Sequence, residues 1–79
     1  MNPESVININ PNVLNGTPVF TGTRVPIETL FDHLESGITI HEFLEDFPSV
    51  SKEQVTAILE IAGKFFSAKH IKKIYETAA

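Results

Sequence analysis

The stretch 39–66, TIHEFLEDFPSVSKEQVTAILEIAGKFF, constrains this chain most strongly, because it predicts two amphipathic helices joined by a tight turn. Apolar residues recur at i, i+3, i+4 and i+7 in both halves, which places them on one face of a helix. They are Ile40, Phe43, Leu44 and Phe47 in the first helix, and Val55, Ile58, Leu59, Ala62 and then Phe65 or Phe66 in the second. We therefore expect one apolar face on each helix to pack into a shared core.

Start and stop signals divide this stretch. Thr39 with Glu42 three residues on, and Ser51 with Gln54, are two capping-box patterns that predict helix starts. Pro48 ends the first helix, because its ring disfavours helical geometry at the preceding residue and it has no N–H to donate. A short helix, a turn and a longer helix together predict a helix-turn-helix.

The N-terminal part of the chain has a different pattern. Val6–Ile9 and Pro18–Thr21 are short runs that predict two strands, with Asn15-Gly16 as a turn dipeptide between them. The two strands can pair within one chain, or an exposed strand can pair with its copy in a second chain. The sequence leaves both arrangements open.

Helical spacing returns after Val25. Apolar residues at Ile27, Leu30, Phe31 and Leu34 predict a helix with Pro26 at its first position and Gly37 just past its end. A further stripe at Ile71, Ile74, Tyr75 and Ala78 predicts a C-terminal helix, either separate or continuous with the one before. The fold class is therefore mainly α: a three-helix helix-turn-helix core, a short N-terminal β-hairpin or strand pair, and an extra C-terminal helix. We expect a single domain over residues 1–79.

Composition narrows the function. A chain of 79 residues without cysteine has no disulfide or thiolate metal site, and no apolar run approaches the roughly 20 residues of a membrane span. The three histidines, His33, His41 and His70, do not have metal-ligand spacing. No catalytic arrangement is evident, so we expect a cytoplasmic protein that is not an enzyme and binds no cofactor or metal.

Charge is unevenly distributed. Residues 1–63 carry two basic and nine acidic side chains, a balance of −7, whereas residues 64–79 carry four lysines and one glutamate, a balance of +3. Nucleic-acid affinity depends mostly on neutralising phosphates with Lys and Arg. The acidic body is either an ordinary solvated surface or a face for a basic protein partner, and the basic tail is a candidate phosphate contact.

The start of the second helix holds the candidate DNA contacts, since this is where a helix-turn-helix reads bases. We assign this role to Ser51, Lys52, Gln54 and Thr56, which can bond to bases or phosphates. Without arginine the set is weak, and Glu53 and Glu60 repel phosphate. The alternative is that these residues are ordinary caps and solvent-facing positions.

Arg24, the only arginine, lies between a turn and a helix start in TGTRVP. A functional interpretation makes it a phosphate or partner contact, and we include it among the DNA-binding candidates. A structural interpretation gives it a charge-assisted bond to a carboxylate, Asp46 being our choice, or to a backbone carbonyl.

Residues 6–65, taken together, resemble the domain of unknown function 433 family. Its pattern is a Gly-x-Pro-Val/Ile step, a GTR-I/V-P element, a leucine-rich helix, a Gly-x-[ST] step and an acidic–aromatic–Pro turn before an alanine-containing helix. This chain supplies Gly16, Pro18, Val19, Gly22, Thr23, Arg24, Val25, Pro26, Gly37, Thr39, Asp46, Phe47, Pro48, Val55 and Ala57. The basic C-terminal segment lies beyond the resemblance.

The resemblance implies a small homeodomain-like helix-turn-helix protein. It also implies an antitoxin of a type II toxin–antitoxin pair, with a PIN-like ribonuclease toxin as partner and operator DNA as a second partner for autoregulation. We expect a homodimer and no membrane association. Such antitoxins often have basic DNA-binding parts, from which the acidic body departs, so toxin binding is the first expectation and a stand-alone DNA-binding regulator is the alternative.

Overall fold

The computed structural model of the chain describes residues 3–67, 69, 72 and 73. Its helices and strands in chain order are α1 Pro3–Val6, β1 Ile7–Asn8, β2 Val19–Phe20, α2 Ile27–Glu35, α3 Ile40–Asp46 and α4 Lys52–Phe65. A single 3-10 turn at Leu14–Gly16 lies between the strands. The described chain is mainly helical with one two-stranded antiparallel sheet, as the sequence predicts.

The two predicted strands pair within one chain. Ile7 lies opposite Phe20 and Asn8 opposite Val19. Both strands are shorter than predicted, with two paired residues each, and the chain turns directly after Phe20. The prediction of a strand over Val6–Ile9 is therefore wrong at both ends, since Val6 completes α1 and Ile9 lies outside β1.

The predicted Asn15-Gly16 turn is present, but it belongs to a longer connection between the strands. Leu14, Asn15 and Gly16 all have positive φ, at 47°, 56° and 85°. Asn and Gly adopt this region most readily, which explains their place here.

Helix α2 begins one residue later than predicted. Pro26 has extended geometry and precedes the helix as its N-cap, where it also bridges to Val19 of β2. At the other end, Gly37 has a φ of 83° and donates its N–H to Leu34 O, while Ile38 N donates to His33 O. These two bonds form a Schellman motif, so the predicted glycine stop is confirmed.

Both predicted capping boxes are formed. Thr39 Oγ1 accepts from Glu42 N at 3.1 Å and Glu42 Oε2 accepts from Thr39 N at 3.1 Å. Ser51 and Gln54 repeat the pattern at the start of α4. Helix α3 ends at Asp46, two residues before Pro48, so five residues connect it to α4.

The hydrophobic core lies where α2, α3 and α4 meet the sheet. Its buried side chains within the described residues are Val6, Phe20, Leu30, Phe43, Val50, Val55, Ala57 and Ile58. Phe43 is at the centre, with its ring centroid 6.2 Å from that of Phe20 and 5.0 Å from that of Phe47. The apolar faces predicted for α2, α3 and the first half of α4 all contribute to this core.

Helix α4 runs through Gly63 without interruption and ends at Phe65. The predicted C-terminal stripe at Ile71, Ile74, Tyr75 and Ala78 lies outside the described residues. Lys69, Lys72 and Lys73, which are described, have helical backbone after a break at positions 66 and 67.

Candidate functional site

The start of α4 is the predicted location of the DNA contacts. One of these residues, Gln54, also forms a hydrogen bond outside its own helix. Gln54 accepts from Ser51 N through Oε1 at 2.9 Å and donates through Nε2 to Thr21 O, also at 2.9 Å. Ser51 Oγ accepts from Gln54 N at 3.1 Å. Both ends of the Gln54 amide are therefore engaged, and one of them joins α4 to the turn that follows β2.

That turn carries Arg24. Thr23 holds its shape by donating its hydroxyl to Phe20 O at 2.8 Å and accepting from Val25 N at 3.1 Å. Arg24 is three residues from Thr21, so their Cα atoms are at most about 11 Å apart, and Arg24 lies in the same turn that Gln54 joins to the start of α4. Sequence reasoning missed the contact between Gln54 and Thr21, since its partners are 33 residues apart and no local pattern signals it.

Arg24 itself is exposed. Within the described part of the chain it forms no hydrogen bond or ion pair, so the predicted bond to Asp46 is absent and its guanidinium is available. Lys52 and Thr56 are exposed too, on a surface of α4 that they share with Glu53, Ala57 and Glu60. Lys52 and Thr56 thus share one surface of α4 with two carboxylates, whereas Arg24 lies on the turn after β2 that Gln54 joins to this helix.

Carboxylates dominate the surface of α2 and α3. Six of them are exposed: Glu28, Asp32 and Glu35 on α2, and Glu42, Glu45 and Asp46 on α3. Among the described residues, the sole close contact between one of these carboxylates and a basic side chain joins His41 Nε2 to Glu45 Oε1 at 2.6 Å, and the two side chains are 84% and 65% exposed. No lysine or arginine within the described ranges neutralises this surface.

The second half of α4 lines an apolar groove that the sequence did not predict. Its volume is about 540 Å³, and its lining consists of eight apolar residues and one acidic residue: Ile7, Ile27, Phe31, Glu35, Ile58, Ile61, Ala62, Phe65 and Phe66. Phe65 is 52% exposed and Phe66 is 65% exposed. The prediction that one of these phenylalanines completes the buried face of α4 is therefore wrong for a single chain, because no described element covers that end of the helix.

Of the two histidines that the structure describes, His41 is exposed beside Glu45 and His33 is packed against other residues. His33 Nδ1 donates to Thr29 O at 2.8 Å, and its ring stands edge-on to Phe43 and Phe47. No group of three metal-ligating side chains occurs among the described residues. In the same part of the chain, no helix has both the length and the apolar character needed to cross a bilayer.

Comparison with known proteins shows a sequence similarity that covers most of the chain. The sequence profile of the family described as "Protein of unknown function (DUF433)" matches residues 7–62, well over half of the chain. The chain belongs to this family. A relative of the DUF433 protein, "Uncharacterized protein y4eO" of Sinorhizobium fredii (strain NBRC 101917 / NGR234), is 34% identical over 50 residues. That match takes in 63% of this chain and 23% of the relative, so the chain spans under a quarter of its length. No solved structure matches the chain significantly.

The DUF433 match covers the candidate DNA-contact and acidic surfaces but not the far end of the apolar groove. The turn with Arg24, the start of α4 and the acidic faces of α2 and α3 all lie inside residues 7–62. Phe65, Phe66 and the lysines that follow lie outside it. The end of the groove is therefore a feature of this chain beyond the family match.

Proposed function

We propose that this DUF433 protein is the antitoxin of a type II toxin–antitoxin pair and neutralises a PIN-like ribonuclease toxin. The observation that carries the proposal is the exposed acidic surface of α2 and α3, which has no lysine or arginine partner in the described ranges. A ribonuclease cleft that binds RNA phosphates is positively charged. An acidic protein surface is complementary to such a cleft and accelerates the encounter with it.

Helix α3 supplies the carboxylates best suited to this contact. Glu42 already accepts a hydrogen bond from Thr39 N in its capping box. Asp46 is exposed, and Glu45 has only the exposed His41 as a partner, which a toxin arginine can displace at little cost because exposed ion pairs contribute little. Glu45 and Asp46 are therefore the residues that we assign to the toxin interface.

Co-expression with the product of the adjacent gene tests the proposal. We expect a complex that co-purifies and relief of the growth defect caused by the toxin alone. Reversing two charges in Glu45→Lys/Asp46→Lys should weaken the complex at least about tenfold, since like charges then face the basic cleft. The affinity is measured by calorimetry on the purified pair.

The matched control is Glu53→Lys/Glu60→Lys, which makes the same change of charge on the outer face of α4. This variant should neutralise the toxin as well as the parent chain does. Equal losses of toxin affinity in both double variants would show that only net charge matters. In that case α3 would not form the toxin interface. Failure of the parent chain to form a complex or relieve growth would reject the antitoxin role.

A DNA-binding regulator is the second candidate, favoured by the free side chains of Arg24, Lys52 and Thr56 near the start of α4. In this proposal α2, α3 and α4 form a homeodomain-like helix-turn-helix, and α4 enters the major groove. The adjacent carboxylates Glu53 and Glu60 oppose phosphate binding, which makes this the weaker proposal.

Gel shifts on the upstream region of the gene, over a series of salt concentrations, test this second role. We expect log K to fall linearly with log salt, and Lys52→Ala to reduce the slope by about 1 if it contacts one phosphate. Glu53→Lys/Glu60→Lys should strengthen binding. The absence of binding, or binding that does not depend on salt, argues against the regulator.

A further inference from the structure

The apolar groove has the character of an interface that a single chain leaves open. Phe65 and Phe66 at its end are more than half exposed, although a small domain has little apolar surface to spare. Ile58 is buried at its base, and Ile61 and Ala62 are half-buried beside it. The part of the groove along α4, from Ile58 to Phe65, is about 11 Å long at the helical rise of 1.5 Å per residue.

One edge of the groove is acidic. Phe31 and Glu35 of α2 both line it, and a helix turns about 100° per residue. Viewed down the axis of α2, Glu28 and Asp32 therefore lie next to Glu35 on the side that faces away from the core. An occupant that fits this groove needs an apolar stripe about 11 Å long with cations along one side.

The C-terminal segment of this chain, residues 67–79, has that chemistry. Its apolar positions Ile71, Ile74, Tyr75 and Ala78 repeat with helical spacing over the same seven-residue interval as Ile58 to Phe65. The described lysines of the segment, at 69, 72 and 73, have helical backbone and exposed side chains. On a helix, Lys72 adjoins the edge of the stripe at Tyr75, where it can face the acidic edge of α2.

We propose that the groove of one copy binds the C-terminal segment of a second copy, so that two chains exchange these segments in a symmetric dimer. Binding of the chain's own segment is the alternative, which the cross-linking experiment below distinguishes. A reciprocal exchange closes both grooves with two identical contacts, as two-fold symmetry requires. The contact uses α2 and α4 and leaves the carboxylates of α3 accessible, so it does not depend on the proposed antitoxin role.

The absence of cysteine from the sequence allows a direct test. The full-length variants Ile61→Cys and Ile74→Cys, one cysteine each, are mixed, incubated to exchange partners and oxidised. We expect a disulfide-linked heterodimer, and a mass of twice 8.8 kDa for the parent chain in sedimentation. Lys52→Cys, at the far end of α4, is the matched control and should not cross-link to Ile74→Cys. Circular dichroism checks that each variant keeps the parent's helix content and melting temperature.

Two substitutions test the energetics. Phe65→Asp in the groove and Ile74→Asp in the segment should each raise the dimer dissociation constant more than about tenfold, because each buries a charge in an apolar contact. A monomeric parent, or an Ile61→Cys/Ile74→Cys chain that closes a disulfide only within itself, would overturn the exchange. A dimer that does not cross-link between positions 61 and 74 would overturn it equally.

Discussion

Two apolar clusters share α4, and they differ in what covers them. Under the first half of the helix, Val55 and Ile58 are buried in the core together with Phe43 and Leu30. Under the second half, Phe65 and Phe66 edge the apolar groove and are largely exposed. Both clusters consist of the same residue types, so hydrophobicity does not separate them. The difference teaches that elements of the described fold cover the core, whereas no described element covers the groove.

The largest effect should come from removing the same side chain from each cluster. Phe43→Ala should cost about 3–5 kcal/mol of unfolding free energy, because it leaves a cavity among fully buried neighbours. That is a large share of the roughly 5–15 kcal/mol that stabilises a typical domain. Phe65→Ala should cost under about 0.5 kcal/mol in the monomer, as for other surface positions. Urea denaturation at low protein concentration measures both.

Raising the protein concentration sharpens this comparison. If the groove is filled by a second copy, the cost of Phe65→Ala should grow with concentration while that of Phe43→Ala stays constant. A concentration-independent loss of several kcal/mol in Phe65→Ala would place Phe65 in the core of the single chain and remove the distinction between the clusters.

The next effect concerns the N-terminal end of α4, which Gln54 joins to the turn after β2. Gln54→Ala removes the capping bond to Ser51 N and the bond to Thr21 O, and should cost about 1–2 kcal/mol. Gln54→Glu keeps an acceptor for the capping box and loses only the donor to Thr21, so its cost should be about half as large. Thermal unfolding of the two variants, with the exposed Lys52→Ala as control, separates the bonds. Equal costs in all three would show that Gln54 does not hold this end.

The features that the sequence predicted correctly depend on neighbours within one or two turns. The capping boxes at Thr39 and Ser51, the stop before Pro48 and the glycine stop at Gly37 are all of this kind. Each follows from the N–H groups, carbonyls and φ angles of adjacent residues, which the sequence specifies directly.

The features that it missed depend on distant residues. β1 pairs with residues 11 and 13 positions further along the chain, and the second bond of Gln54 reaches Thr21 across 33 residues. The apolar stripe on α4 correctly identifies side chains that favour burial. It does not reveal which element covers them, which is why the stripe wrongly extends the core to Phe65 or Phe66.

The smallest effect tests whether the second half of α4 is a rigid helix in the single chain. Gly63 has helical geometry, and no neighbouring atom lies within 4 Å of the place that a Cβ would take, so alanine there adds no clash. Gly63→Ala should stabilise the chain by about 0.5–1 kcal/mol, because glycine loses more conformational freedom than alanine when a helix forms. Thermal unfolding at low protein concentration measures the gain.

The matched control is Gly37→Ala, which should have the opposite sign. Gly37 also has open space around it, but its φ of 83° forces an alanine into the left-handed region at a cost of about 1–2 kcal/mol. The same substitution thus separates backbone strain from helix propensity within one chain. If Gly63→Ala gives no gain, the helix at this position is frayed in the monomer. The groove would then be shaped by its occupant, and the two halves of α4 would differ in order as well as in what covers them.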